Sequence, residues 1–249
     1  MNLALIATGN ELRKIFARKK YWITLMIQLA VCFLFLFFAS ADSFAYMRFG
    51  ISLDVPSMPQ ILLNMLCTVV LPLNIFMLGA DLFANEIENG TIRAVLLRPI
   101  SRFKIYLSKI AAIAGYVLLN LTATFLVIVI AKIVSGGALP NLTELLLSYL
   151  LALVPMIVFA GMAAFVSLLL ANSSMAMFCS LILYIVMQGV TLWDAQVGAV
   201  FFTSHLGWYK MFLGLSIDYA TVLNIFFLFL STGVLFAIGG YILFERREV

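Results

Sequence analysis

Six stretches of this chain, 22–41, 60–83, 109–132, 145–171, 174–194 and 221–244, are each about twenty residues or longer and almost free of charge. Nothing else constrains the fold as strongly. A helix that crosses a bilayer needs about 20 consecutive apolar residues, and a soluble domain has no means of covering six such runs at once. Only 10% of the residues are charged, 65% are hydrophobic and the mean hydropathy is +1.15. A water-soluble chain of 249 residues would need a polar skin that this composition cannot supply. Runs such as CFLFLFFA and LNIFFLFL lack the two-residue alternation of membrane β-strands. The expectation is an all-α integral membrane protein, one transmembrane domain over 1–249 with six spanning helices.

Orientation follows from the basic residues. With the N-terminus in the cytoplasm, the inner segments hold Arg13, Lys14, Arg18, Lys19, Lys20, Arg93, Arg98, Arg102, Lys104, Lys109, Arg246 and Arg247, and the outer ones only Arg48, Lys132 and Lys210. Twelve against three accounts for all 15 and favours both termini inside, which requires an even number of crossings. The net charge of +4 is dispersed among loops, so it marks membrane orientation rather than a nucleic-acid surface. Ala39-Ser40-Ala41 after the first run imitates a signal-peptide cleavage site, but the apolar run is longer than a signal core of roughly 7–15 residues. Cys32, Cys67 and Cys179 sit inside apolar runs and read as small buried hydrophobes without metal spacing.

Two further segments are set apart. The N-terminal arm, 1–20, places Leu5, Leu12, Ile15 and Phe16 near helical spacing with its basic residues between Arg13 and Lys20. It reads as an interfacial helix over anionic headgroups or as a plain topogenic flank. Residues 195–218 fall outside by this topology, yet carry Val200, Phe201, Phe202, Leu206, Trp208, Met211, Phe212 and Leu213. Interrupted by glycines, they are expected to form a re-entrant hairpin in the outer leaflet, with Trp208 and Tyr209 at headgroup level.

The charges gather in one place. Residues 84–102, ANEIENGTIRAVLLRPISR, carry Glu86, Glu88, Arg93, Arg98 and Arg102, with Asp81 before them and Lys104 and Lys109 after. Asn89-Gly90 signals a turn, Thr91 can cap a short helix over 92–97, and Pro99 stops it. The result is a short amphipathic elbow between spans 2 and 3. Charge bias alone accounts for the arginines but not for Glu86 and Glu88; a cytoplasmic partner seated on the elbow accounts for both.

Polar side chains within the spans fall on faces. Asn64, Cys67, Asn74 and Asp81 share one face of span 2, and Ser180, Tyr184, Gln188 and Thr191 one face of span 5. Span 1 offers Thr24, Gln28 and Cys32, and span 3 Tyr116, Asn120 and Thr124. Such faces turn from lipid. They either line a translocation path, with Gln28, Asn64, Asn74, Asp81, Asn120, Tyr184 and Gln188 as candidates, or hold helices together by hydrogen bonds. In span 4, Ala160, Ala163, Ala164, Ser167 and Ala171 permit close helix packing.

The run Asn85-Glu86-Ile87-Glu88-Asn89-Gly90-Thr91-Ile92-Arg93, then Leu96-Leu97-Arg98-Pro99-Ile100-Ser101-Arg102 and Ser108-Lys109, resembles the signature of type-2 ABC exporter permeases. The ending Gly239-Gly240-Tyr241 through Phe244-Glu245-Arg246-Arg247-Glu248 is similar to the family's usual C-terminus. The resemblance implies a permease that pairs with a second permease chain, as homodimer or heterodimer, and docks on two copies of a cytoplasmic ABC ATPase in the bacterial cytoplasmic membrane. It makes the elbow the coupling helix, with Glu86, Glu88, Gly90, Thr91, Ile92, Arg93, Leu96, Pro99 and Arg102 as docking residues. ATP and Mg would sit on the partner, since this chain has no Gly-x-x-x-x-Gly-Lys-Ser/Thr loop, no cofactor of its own and no catalytic constellation: its one histidine, His205, lies beside Ser204 by sequence only. No Lys or Arg lies in the middle of a span, so an amphipathic peptide or lipid-like cargo suits the path better than a small ion. The alternatives are a non-transporting sensor or scaffold, and a lipid, drug or ion exporter of the same family.

Overall fold

A computed structural model describes residues 3–40, 58–92, 100–134, 142–170, 172–212 and 218–246. Every regular element among them is helical. Helix α1 (Leu3–Ala17) meets α2 (Lys19–Ser40) at a corner at Arg18. A continuous rod follows, made of α3 (Met58–Met65), a π-helical turn (Leu66–Val70), α4 (Leu71–Gly79), a second π turn (Ala80–Ala84) and α5 (Asn85–Glu88). Then come α6 (Arg102–Val134), α7 (Leu142–Leu151), α8 (Leu153–Leu170), α9 (Ser173–Trp193), the short α10 (Ala195–Gly198), two 3₁₀ turns (Phe202–His205 and Trp208–Phe212) and α11 (Tyr219–Glu245). Five stretches among the described residues are long and apolar enough to cross a membrane: Pro59–Glu88, Arg102–Ala131, Leu142–Leu170, Ser173–Trp193 and Tyr219–Glu245. The first expected span falls on α2. The centre of the expected coupling helix, including Arg93, Leu96 and Pro99, lies outside the described residues.

The α7–α8 segment is the hub. Its small residues Ala160, Ala163, Ala164 and Ser167 are fully buried, and they let α4, α9 and α11 approach. The closest approach is at Gly79, where a Cβ would stand 2.7 Å from that of Ala163. An edge-to-face cluster of Phe76, Phe159, Tyr184 and Phe202 fills the space around it.

Two prolines within the spans leave carbonyls without their helical donor, because proline has no N–H to give to the residue four positions back. Pro72 follows the first π turn and deprives Thr68; the Tyr184 hydroxyl of α9 donates to the Thr68 carbonyl at 2.6 Å. Pro155 deprives Leu151 beside the break between α7 and α8; Trp208 Nε1 donates to that carbonyl at 3.2 Å.

The 195–212 segment differs from the expected re-entrant hairpin. It forms two short 3₁₀ turns tucked against α7, α9 and α11. Trp208 and Tyr209, expected at headgroup level, are 4% and 0% exposed. Their rings pack in the bundle because protein neighbours can accept their N–H and O–H groups there: Tyr209 donates to the Gln60 carbonyl at 3.5 Å. Ser204 and His205 engage the backbone oxygens of Phe201 and Ala199, not each other.

Candidate functional site: the charged end of the bundle

Among the described residues, Asp81, Glu86, Glu88, Arg102 and Lys109, all singled out by sequence, meet polar partners from other helices. Four side chains close a ring. Lys14 Nζ lies 2.8 Å from Glu11 Oε1 and 2.9 Å from Glu86 Oε1, and Lys109 Nζ lies 3.3 Å from Glu11 Oε2 and 2.8 Å from Glu86 Oε2. Lys109 gives its third N–H to the Leu82 carbonyl in the second π turn, at 2.9 Å. Two carboxylates between two ammonium groups make the ring neutral, and every Lys109 donor is used. This lets a lysine 1% exposed remain inside the protein, where an unpaired charge would not be tolerated. For Lys14, burial works against the ammonium, but the hydrogen bond to Glu11 and the charge of Glu86 outweigh it and hold its pKa above the ordinary 10.5.

A second knot lies at the α1–α2 corner. Arg18 Nη1 and Lys20 Nζ each stand 2.5 Å from Asp81 Oδ2, and the Tyr21 hydroxyl donates to the same carboxylate. The N-terminal arm is thus fastened to the rod at two points. Arg13 and Lys19 remain exposed.

The elbow is tied down on both sides. Glu88 accepts from the backbone N–H of Ser173 at 2.9 Å and from Asn172 Nδ2 at 3.2 Å, while Asn172 Oδ1 caps Met175 N at 3.0 Å. A carboxylate at the N-terminus of α9 complements its unsatisfied N–H groups and dipole. On the far side, Arg102 Nη1 donates to the Glu245 carbonyl at 2.6 Å, at the C-terminal end of α11. Between them Gly90 turns the chain at φ +68°, a conformation that favours glycine; its N–H meets the Ile87 carbonyl, and Thr91 Oγ1 donates to Glu86 O at 3.3 Å. Ile92 is half-buried against the core.

Of the expected docking residues, Glu86 is therefore placed differently from a surface contact. It is 7% exposed and both its oxygens face lysines, because α1 and α6 bring Lys14 and Lys109 to it. Glu88 and Arg102 are exposed but already hold helix ends. Glu11 and Asn172 were missed by the sequence reading; the spacing of Glu11 and Lys14 on one helix face was the available signal.

The expected path residues separate into two groups. Thr24 and Gln28 of α2 face Tyr116, Asn120 and Thr124 of α6. Gln28 Nε2 donates to Thr124 Oγ1 at 3.0 Å, Thr124 to Asn120 O at 2.9 Å, Asn120 Nδ2 to Tyr116 O at 2.8 Å, and Tyr116 to Tyr21 O at 3.0 Å. This is a hydrogen-bonded seam, and Asn120 within it is fully buried. Tyr184 is joined by Gln188 Nε2 at 3.2 Å, which also reaches Thr203 O at 3.2 Å. Asn64 is half-buried, and Asp81 belongs to the second knot. A cavity of about 370 Å³ lies between α2 and the rod, with Gln28 and Asn74 in its wall.

A family model for ABC-2 family transporter proteins matches residues 5–207. The chain belongs to that family. It is a multi-pass membrane protein of the permease class, whose members associate with an ABC ATPase. No curated protein matches the chain closely enough to add a relative. The matched region of this ABC-2 permease takes in both charge knots, the Glu88 contact and Arg102. The Arg102 acceptor at Glu245 and all of α11 lie beyond it.

Proposed function

We propose that this ABC-2 permease is the transmembrane subunit of an ATP-driven exporter, with α2 as its sixth span, both termini in the cytoplasm and residues 84–102 as the coupling elbow. Two such chains, alike or different, would pair and engage two ATPases, which carry ATP and Mg. The observation that carries this reading is the anchoring of the elbow. Glu88 holds the start of α9, Arg102 holds the end of α11, and Glu86 joins the rod to α1 and α6 through the ring. A push on the elbow from outside the membrane would be felt by several spans at once.

The docking face itself would then be Gly90, Thr91, Ile92, Arg93, Leu96 and Pro99, with Glu86 transmitting rather than touching. The cargo would be amphipathic, a peptide or a lipid-like compound, taken up along Gln28, Asn74 and the surrounding apolar wall. The test separates docking from coupling. Glu88→Ala with Arg102→Ala should leave the ATPase bound to the permease while lowering cargo-stimulated ATP hydrolysis several-fold. Arg93→Glu should instead weaken ATPase co-purification. Full stimulation in the double variant would remove the anchoring argument, and a wild-type permease that binds ATPase yet moves no cargo would favour a scaffold.

A further inference from the structure

The charges at the α1–α2 corner do not balance. Arg18, Lys19 and Lys20 follow one another where the arm turns into α2. Among the described residues, the carboxylate that reaches them is Asp81, which takes Arg18, Lys20 and the Tyr21 hydroxyl all on Oδ2. Lys19 is exposed and has no acidic partner among the described residues. The ring of Glu11, Lys14, Glu86 and Lys109 is neutral in itself and lends the corner no negative charge. Three cations against one carboxylate leave two positive charges in excess.

Lys19 also stands in a particular place. A helix returns to the same face every three to four residues, so Lys19 begins a stripe that continues through Trp22, Ile23, Met26 and Ile27. These four are 49%, 57%, 64% and 58% exposed, which makes an open apolar surface with a cation at its foot. Trp22 is fixed there: its indole N–H donates to the Phe16 carbonyl at 2.9 Å, and its ring lies 5.6 Å from that of Phe16. Tryptophan favours the boundary between headgroups and hydrocarbon.

What fits this surface is a molecule with an anion at one end and hydrocarbon directly behind it. An acidic protein segment answers the charge and leaves the stripe bare. A zwitterionic lipid covers the stripe but brings its own cation. An anionic phospholipid answers both. Lys20 can join Lys19 in holding it, because Asp81 keeps Arg18 and Tyr21 when Lys20 turns away and no buried charge is stranded.

We infer that the α1–α2 corner is a binding site for an anionic phospholipid of the inner leaflet, with the phosphodiester held by Lys19 and Lys20 and the acyl chains laid along the Trp22–Ile27 stripe. The site rests on the reading of α2 as a span with its start on the cytoplasmic side. Each basic residue near a membrane surface strengthens its attraction to anionic lipid by a factor of about five.

The experiment uses the full-length permease carrying Trp193→Phe, which removes the 94% exposed tryptophan; Trp208, 4% exposed, contributes a constant signal. The protein is reconstituted in phosphatidylcholine bilayers containing rising fractions of either phosphatidylglycerol or phosphatidylcholine brominated on the acyl chains. Bromine quenches tryptophan only at close range, so the fluorescence of Trp22 reports which lipid occupies the stripe. Brominated phosphatidylglycerol should quench it at about fivefold lower mole fraction than brominated phosphatidylcholine. Lys19→Gln with Lys20→Gln should bring the two curves together. Lys19→Gln alone, which leaves every contact of Asp81 in place, should remove most of the preference should the double variant fail to fold. Arg13→Gln takes the same charge from α1 and should leave the preference largely intact. A preference that survives loss of both lysines, or one that Arg13→Gln reduces as much as Lys19→Gln does, would overturn the site in favour of diffuse attraction. Equal quenching by the two lipids in the starting protein overturns the site and leaves the span standing; quenching by neither takes α2 out of the bilayer and overturns both.

Discussion

At the residue scale the governing fact is the closed ring of Glu11, Lys14, Glu86 and Lys109. A buried ion pair adds little over an apolar replacement of both partners, but removing one partner strands the other. Lys109→Met should therefore destabilise the permease by about 3–5 kcal/mol, read as a fall in detergent melting temperature. Lys109→Met combined with Glu86→Leu and Glu11→Leu should recover much of the loss. The pH dependence has a definite sign. The Lys14 pKa is raised in the folded state, so its contribution is complete below the ordinary 10.5 and is lost as pH climbs past the raised value. Lys14→Met should flatten the stability profile above about pH 10 and leave its neutral-to-mildly-alkaline part flat in both proteins. A wild-type profile without that alkaline fall would argue against the pairing.

At the scale of elements, side chains from one helix repair defects that proline makes in another. Tyr184→Phe should cost about 0.6–2 kcal/mol, the range of hydrogen bonds between membrane helices. In a Pro72→Ala background, where the regained backbone N–H can donate to the Thr68 carbonyl, the same change should cost less. A double-mutant cycle on thermal stability measures the difference, and strict additivity would dissociate the hydroxyl from the proline. Close packing gives another test. Gly79→Val would force the rod away from Ala163, since even a Cβ would stand 2.7 Å from that methyl; overpacking of this kind costs about 1–3 kcal/mol. Ala163→Gly should restore part of it.

For the whole molecule, the charged end forms one mechanical block. The N-terminal arm, the rod, α6, the start of α9 and the end of α11 all meet there through named polar contacts. Charge-assisted bonds are stiffer and more directional than apolar contacts, so under the proposed coupling role a displacement of the elbow would reach several spans together. If 84–102 couples the permease to its ATPase as proposed, cross-linking residue 88 to residue 173 through Glu88→Cys and Ser173→Cys should leave ATPase coupling intact, because it fixes the contact that the proposal relies on. Loss of coupling on cross-linking would mean that this contact must break during the cycle.

The helical, membrane-embedded character of the chain, the family and the gathering of charge between the second and third expected spans were all legible in the sequence. These are properties of local composition: a run of about twenty apolar residues has one low-energy fate in lipid, and a turn signal such as Asn89-Gly90 acts over a few residues. The pairing of those charges was not legible. Lys109 meets Glu11 across 98 residues and Lys14 meets Glu86 across 72, and which polar face of one helix turns to which face of another depends on packing around the small residues of α8. For the same reason Trp208 and Tyr209 are covered by protein neighbours. Periodicity says that a face will avoid lipid; only the tertiary structure decides whether it meets another helix, as Gln28 meets Thr124, or keeps an amide unpaired beside a cavity, as Asn74 does.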